Sequence, residues 1–350
     1  MRYTIATAFA LASVVGLFEL HNTATAAPPP GPPPGGGGGE EALTVNCPDS
    51  IQDAVDQAAA GTPLTITVIG TCTEEVVITA DDITVQGLDP VTDQVIGGFT
   101  ITGAHRVTIK DLTIRDGATS YPVGVSASRG ASVVLDGLVI FGQGGGQGGT
   151  GIFLSRNAYA DIIDVDVTNP ADGDNALGLV DGAATRVRDS TLTSFNSSPF
   201  NGAALGLFRS AHARFDGNNR IENTTVSADA RVAHAINIAD TSNLRVQSGA
   251  NDVIGNVFIE SNSQADFRGV SFTGQTWIVS QSGATYSGDP SITGNIFLQE
   301  QSMLQAFGAA GSVDVSGTVA CADTTSGITD PALTAGGGVI GCTILGGFVF

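Results

Sequence analysis

Two groups of residues in this 350-residue chain have the types and spacing to do chemistry. The first is acidic. "DIIDVDVTNPADGDN", residues 161–175, gathers Asp164, Asp166, Asp172, Asp174 and Asn175, and Asp181 and Asp189 follow. Hard oxygen ligands crowded at a turn are what Ca²⁺ takes, and paired carboxylates equally serve as general acid and base. Asp164 and Asp166, with Arg188 nearby, are therefore the candidate catalytic residues, and Asp172 and Asp174 the candidate Ca²⁺ ligands. A solvated acidic turn is the competing reading, and no other cofactor is implied.

The second group is basic. Laid beneath one another, "ADI", "TRV", "ARF", "LRV" and "ADF" place Asp161, Arg186, Arg214, Arg245 and Asp266 at one position. Two residues on stand Arg188, Asp216 and Arg268. On strands about 4.8 Å apart, Arg186, Arg214 and Arg245 form a stripe of guanidiniums that could grip a uronate chain through bidentate contacts. The competing reading is an Asp–Arg surface network, worth little per pair. In a partly paired stripe Arg188 is the residue expected to stay free, because its own row offers only Asp216 on one side and Ile163 on the other.

The element that must carry these positions is legible as a repeat. "ALGLVDGAATRVRDS" (176–190) returns as "ALGLFRSAHARFDGN" (204–218). The same skeleton, apolar–any–apolar and then a polar turn, starts at Val123, Ile152, Leu177, Leu205, Ile236, Val257, Trp277 and Ile296, at intervals of 19 to 31 residues. Each phrase alternates with period two, the pattern of a strand with one buried face. No amphipathic helix longer than about three turns follows Gly61, which excludes βαβ units. Strands that return without crossover helices wind as an all-β, single-stranded parallel β-helix. Ile152, Leu177, Leu205, Ile236, Val257 and Ile296 are expected in one interior column over about ten coils, from Leu64 to Ser316.

The ends read differently. "MRYTIATAFALASVVGLF" followed by "ATA" is a secretory signal peptide, residues 1–26, its apolar run shorter than the ~20 residues of a membrane span. "PPPGPPPGGGGG" lies in a linker, 27–42, stiff in its proline half and loose in its glycine half. The domain is then 43–350, with no membrane span in the mature chain and a secreted, periplasmic or cell-surface destination. In an exported chain, Cys47 with Cys72 and Cys321 with Cys342 read as two local disulfides. "SIQDAVDQAAAG", 50–61, is a capping helix, with Ser50 as N-cap, Asp53 three residues on and Gly61 as its stop.

The segment 50–88, "SIQDAVDQAAAGTPLTITVIGTCTEEVVITADDITVQGL", resembles the N-terminal cap and first coils (43–88) of the pectin-lyase-like, right-handed parallel β-helix superfamily. The resemblance implies the right hand, an amphipathic helix plugging the first coil and a secreted, polysaccharide-related role; the domain's last residues, 318–350, read as its C-terminal cap. It does not bring an activity. The polygalacturonase-like branch needs paired aspartates, Gly-His-Gly and Arg-Ile-Lys, and none of the four His here lies between glycines. The pectate-lyase-like branch needs Ca²⁺ carboxylates and an arginine base near Pro, which no Arg here matches.

A formal charge of −20 disfavours nucleic acid and anionic membrane surfaces as partners. Aromatic residues make up 6 % of the chain, which argues against stacking on sugar rings. The residues thus point to a protein that binds or processes an extracellular or cell-envelope polysaccharide, with an arginine row suited to an acidic one. The alternative is a non-catalytic structural or adhesive β-helix, and the sequence leaves catalysis open.

Overall fold

A computed structural model describes residues 40–115, 123–141, 149–169, 175–195, 202–225, 233–247, 249–307, 313–329 and 333–344. They form a parallel β-solenoid of about 11 turns. Each coil contributes three strands in chain order, a leading, a middle and a trailing one: Leu177–Val180, Ala184–Arg188 and Thr191–Ser194 make one such set. Middle strands stack into a 14-stranded sheet, and leading and trailing strands into a 22-stranded one. Every pair is parallel, because each strand meets its counterpart one coil further on.

The interior is built from columns of like residues. Along the leading wall Val76, Phe99, Val125, Ile152, Leu177, Leu205, Ile236 and Val257 align in register. The column continues through Thr276, Ile296 and Val319, and all are buried. The expected column is therefore present. The repeat phrase that starts at Trp277 is out of phase with it, since Thr276 takes the interior place and Trp277 points outward beside Phe258 and Phe297. A one-residue slip reverses the face of a strand, and "TWIVS" alternates plausibly in either phase.

The turns explain the polar letters of the repeat. Two consecutive residues after the leading strands from Val123–Ser128 to Ile296–Leu298 adopt left-handed backbone, as at Arg156–Asn157, Asp181–Gly182 and Arg209–Ser210. Their amides donate to the next coil, Asn157 N–H to the Asp181 carbonyl and Gly182 N–H to that of Arg209. A single left-handed residue follows the middle strand, at Asp111, Gly137, Asp164, Asp189 and Gly217. Gly, Asn and Asp bear this conformation most easily. Coil length varies between trailing and leading strands. The C-terminal coils close this gap with Gly255, Gly274 and Gly294, where a Cβ at Gly274 or Gly294 would collide with the preceding coil's carbonyl oxygen. At the corner between leading and middle strands runs a buried serine ladder: Ser242 N–H donates to Ser263 Oγ and Ser263 N–H to Ser282 Oγ, each at 3.2 Å.

At the N-terminus the helix is Ile51–Val55, shorter than its sequence suggested, with Asp56 as C-cap. Ser50 Oγ accepts from Asp53 N–H at 3.2 Å. Glu74, reaching from the strand Thr71–Ile78, takes the Ile51 and Gln52 amides at 2.7 and 3.0 Å. Burying Ile51, Ala54 and Val55 requires little more than one turn, so the chain leaves the helix early to begin the strand Leu64–Ile69. Cys47–Cys72 and Cys321–Cys342 are both bonded, with Cα separations of 5.0 and 4.9 Å. No described helix is long and apolar enough to cross a membrane.

Candidate functional site: an arginine–aspartate lattice on the middle wall

Middle strands bury their even members, such as Ala160 and Ile162 or Ala213 and Phe215, and so turn the residues between them outward. Asp161, Arg186, Arg214, Arg245 and Asp266 consequently form one outward row, coil over coil. Arg188 and Asp216 are paired in the adjacent row. The contacts run between rows as well as along them. Asp216 joins two guanidiniums, accepting from Arg186 Nε at 2.8 Å and from Arg214 Nε at 2.9 Å and Nη2 at 3.1 Å. Asp266 likewise lies 3.4 Å from Arg245 and 3.3 Å from Arg268. Arg188, expected to be free, instead reaches diagonally across the rows, and its Nη2 donates to Asp161 Oδ2 at 2.8 Å. Its own row offers Ile163, but a long side chain is not confined to its row.

Burial divides this lattice unevenly. The Asp216 side chain is 10 % exposed, whereas those of Arg186 and Arg214 are 42 and 45 % exposed. The carboxylates lie inside and the guanidiniums face water. Five arginines against three aspartates leave an excess of positive charge on an acidic chain. Bonding capacity is also left over: Arg188 Nε, Asp161 Oδ1 and Asp266 Oδ1 are buried without a partner. Tyr159, two residues before Asp161 on the same face, borders the lattice and was not singled out by the sequence reading. Burial, reinforced by Asp161, raises its phenol pKa despite Arg186 and Arg188, so it remains a hydroxyl donor at ordinary pH. The "Y-A-D" alternation was the available signal.

The acidic group is dispersed by comparison. Asp164 occupies a left-handed corner (φ 52°), with its amide donating to the Arg188 carbonyl at 3.1 Å, and its carboxylate is exposed. Asp166 begins the strand Asp166–Asn169, also exposed. The backbone thus brings Asp164 beside Arg188, while the Arg188 guanidinium turns to Asp161. Asp181 pairs with Arg209 at 3.2 Å, and Asp189 Oδ1 accepts the Asn218 amide at 2.8 Å. Asp172 and Asp174 lie outside the described residues. Among the described residues, no group of three or more His, Cys, Asp or Glu side chains is placed to hold a metal ion.

A cavity of about 600 Å³ lies over the paired left-handed turns of the last coils, lined by Ser280, Gln281, Glu300 and Asp323 among others. The Thr325 hydroxyl, helped by the amides of Glu300, Thr325 and Ser326, holds the Asp323 carboxyl well below the usual carboxylate range. Those bonds make it a turn-former.

No family model matches the chain, and no curated protein does. Three solved structures are similar. One is a pectin methylesterase mutant in complex with hexasaccharide IV (15 % identity, TM-score 0.35, covering 62 % of this chain and 80 % of that one). Another is pectin methylesterase PemA from Erwinia chrysanthemi (14 %, 0.33, 64 % and 80 %). The third is a pectin methylesterase in complex with hexasaccharide VII (13 %, 0.35, 79 % and 91 %). This chain's own strand pairing makes it a parallel β-helix.

Proposed function

We propose that this chain is an exported β-helix protein that binds an acidic extracellular or cell-envelope polysaccharide along its middle wall. The observation that carries the reading is the lattice itself. Its guanidiniums outnumber its carboxylates five to three and are the more exposed partners. Each aspartate shared between two arginines leaves donors unused, and a planar guanidinium is suited to bidentate grip of a carboxylate. Arg186, Arg214 and Arg245 repeat along the solenoid at the strand spacing, so a chain of uronates would meet a chain of cations. Two disulfides fit an oxidising compartment, in keeping with the leader read in residues 1–26.

Binding is better supported than turnover. Asp164, Asp166 and Arg188 would have to converge on one bond, and the Arg188 side chain points elsewhere. The test is retention of the full mature chain on immobilised polygalacturonate and alginate over a salt series. Absorbance of unsaturated products, followed with and without Ca²⁺, covers the lyase reading and the Asp172–Asp174 ligand pair together. Salt-sensitive retention weakened by Arg214→Ala supports the proposal. Retention that is absent, or unchanged by that substitution, leaves the lattice a surface network and favours a structural or adhesive role.

A further inference from the structure

The leading wall carries aromatic side chains on its outer face, where the sequence suggested too few for sugar stacking. Phe258, Trp277 and Phe297 stand at successive outward positions of three consecutive coils. All three are half-buried. The Trp277 and Phe297 rings lie 4.5 Å apart, and His234 stacks on Phe258 at 5.5 Å. One coil earlier the same row holds Asn237, and before it come Gly206 and Gly178. Two residues before Phe258 and Trp277, Asn256 and Gln275 line a cavity of about 370 Å³ together with Gly255, Gly274, Thr273 and Glu222.

Two polar atoms in this row have no partner. Asn237 is 8 % exposed, and its Oδ1 accepts nothing. The Trp277 indole N–H is buried and donates to nothing. An unmet acceptor and an unmet donor among aromatic rings suit a ligand whose hydroxyls do both. The charges select further. Neither the aromatic row nor the cavity lining contains Lys or Arg, and the acids bordering them are Glu222 and Glu260. Arg220 pairs with Glu222 at 2.7 Å. Burial, with Asp240 nearby, raises the Glu260 carboxyl. Such a surface offers a polyanion no Lys or Arg of its own.

We infer that the outer face around Phe258, Trp277, Phe297 and Asn237 binds a neutral oligosaccharide, its pyranose C–H faces on the rings and its hydroxyls on Asn237 and the indole N–H. This face lies on a different wall from the arginine lattice and does not depend on it. Trp277 is the single tryptophan of the chain, so its emission reports this site alone. The full mature chain is titrated with cellohexaose, xylohexaose, mannohexaose and hexagalacturonate. A saturable emission change with one or more neutral sugars, and none with hexagalacturonate, is expected. In calorimetry Trp277→Ala should weaken that binding by about ten-fold or more, Trp277→Phe should retain most of it, and Arg214→Ala should leave it unchanged. If Trp277→Ala does not fold, Trp277→Phe and Asn237→Ala carry the comparison, the latter weakening binding several-fold. Silence toward all three neutral sugars overturns the inference. So does a response to hexagalacturonate alone, or an emission change driven by protein concentration without sugar, which would mark the face as a contact between copies.

Discussion

At the scale of single residues, Asp216 and Arg214 separate stability from binding. Asp216 is the buried member, serving two cations at once. Replacing it by Ala leaves both guanidiniums unpartnered and is expected to lower stability by about 1–3 kcal/mol, while polygalacturonate binding strengthens, because one negative charge leaves the stripe. Arg214 is the exposed member, in an ion pair of a kind worth ~0–1 kcal/mol. Arg214→Ala should therefore change urea unfolding by less than about 1 kcal/mol, yet elute from polygalacturonate at lower salt. Lysine at this position cannot form the fork, so Arg214→Lys is expected to fall between wild type and Ala. Equal elution of all three chains would assign the lattice to structure. The row of Asp161, Arg186, Arg214, Arg245 and Asp266 was legible in the sequence because register follows from alternation. The Arg188–Asp161 diagonal was not, because it is a choice of side-chain rotamer between two rows.

At the scale of elements, what was legible depended on how strongly burial fixed the phase. Interior columns repeat over many coils, so their register was readable at Leu177 and Leu205 and slipped only at Thr276–Trp277, where a polar residue takes an interior place. The cap helix was read too long because its apolar positions, Ile51, Val55 and Ala58, continue past the point where the core needs them. The aromatic row was missed for another reason. Composition counts rings without saying which wall they share, and Phe258, Trp277 and Phe297 meet only once the coils stack. Local polar caging follows the same logic. Asp93 is 3 % exposed, and burial pushes its carboxyl upward. The amides of Gly70, Leu88 and Asp89, with the Thr92 hydroxyl, outweigh that and hold its pKa below the ordinary value. A folded carboxyl that titrates below its unfolded value, about 3.9, stabilises the fold above that pH, and the contribution is lost as pH falls through the folded value. Asp93→Asn should thus lower the melting temperature at pH 7, by the equivalent of about 1–3 kcal/mol, and the two melting curves should converge in strong acid. A constant difference at every pH would deny the caged carboxylate this role.

At the scale of the whole molecule, a solenoid is close to one-dimensional: each coil touches only its neighbours, and stability is a sum of coil and interface contributions. Its weak points are then the two terminal coils, whose edges lack a next coil to pair with. The chain places both disulfides there, closing loops of 25 and 21 residues, each worth about 3 kcal/mol by loop closure. At the first end the cross-link joins Cys47, just after the strand Glu41–Asn46, to Cys72 in the strand Thr71–Ile78, beneath the helix that Glu74 holds. At the last it joins Cys321 to Cys342, where strands have shortened to two or three residues. Reduction should therefore unzip the molecule from its ends rather than collapse it. By hydrogen exchange, gentle reduction at pH 7 is expected to strip protection from 43–88 and 318–344. The leading and middle strands between Thr150 and Ile259, whose interior columns are mostly apolar, with Thr185 between Ala160 and Ala213, should exchange as slowly as before. The Cys47→Ala/Cys72→Ala double variant should loosen only the first of these ends. Uniform loss of protection along the chain after reduction would show that the coils unfold as one unit, and that the end cross-links stabilise the whole core instead of its terminal coils.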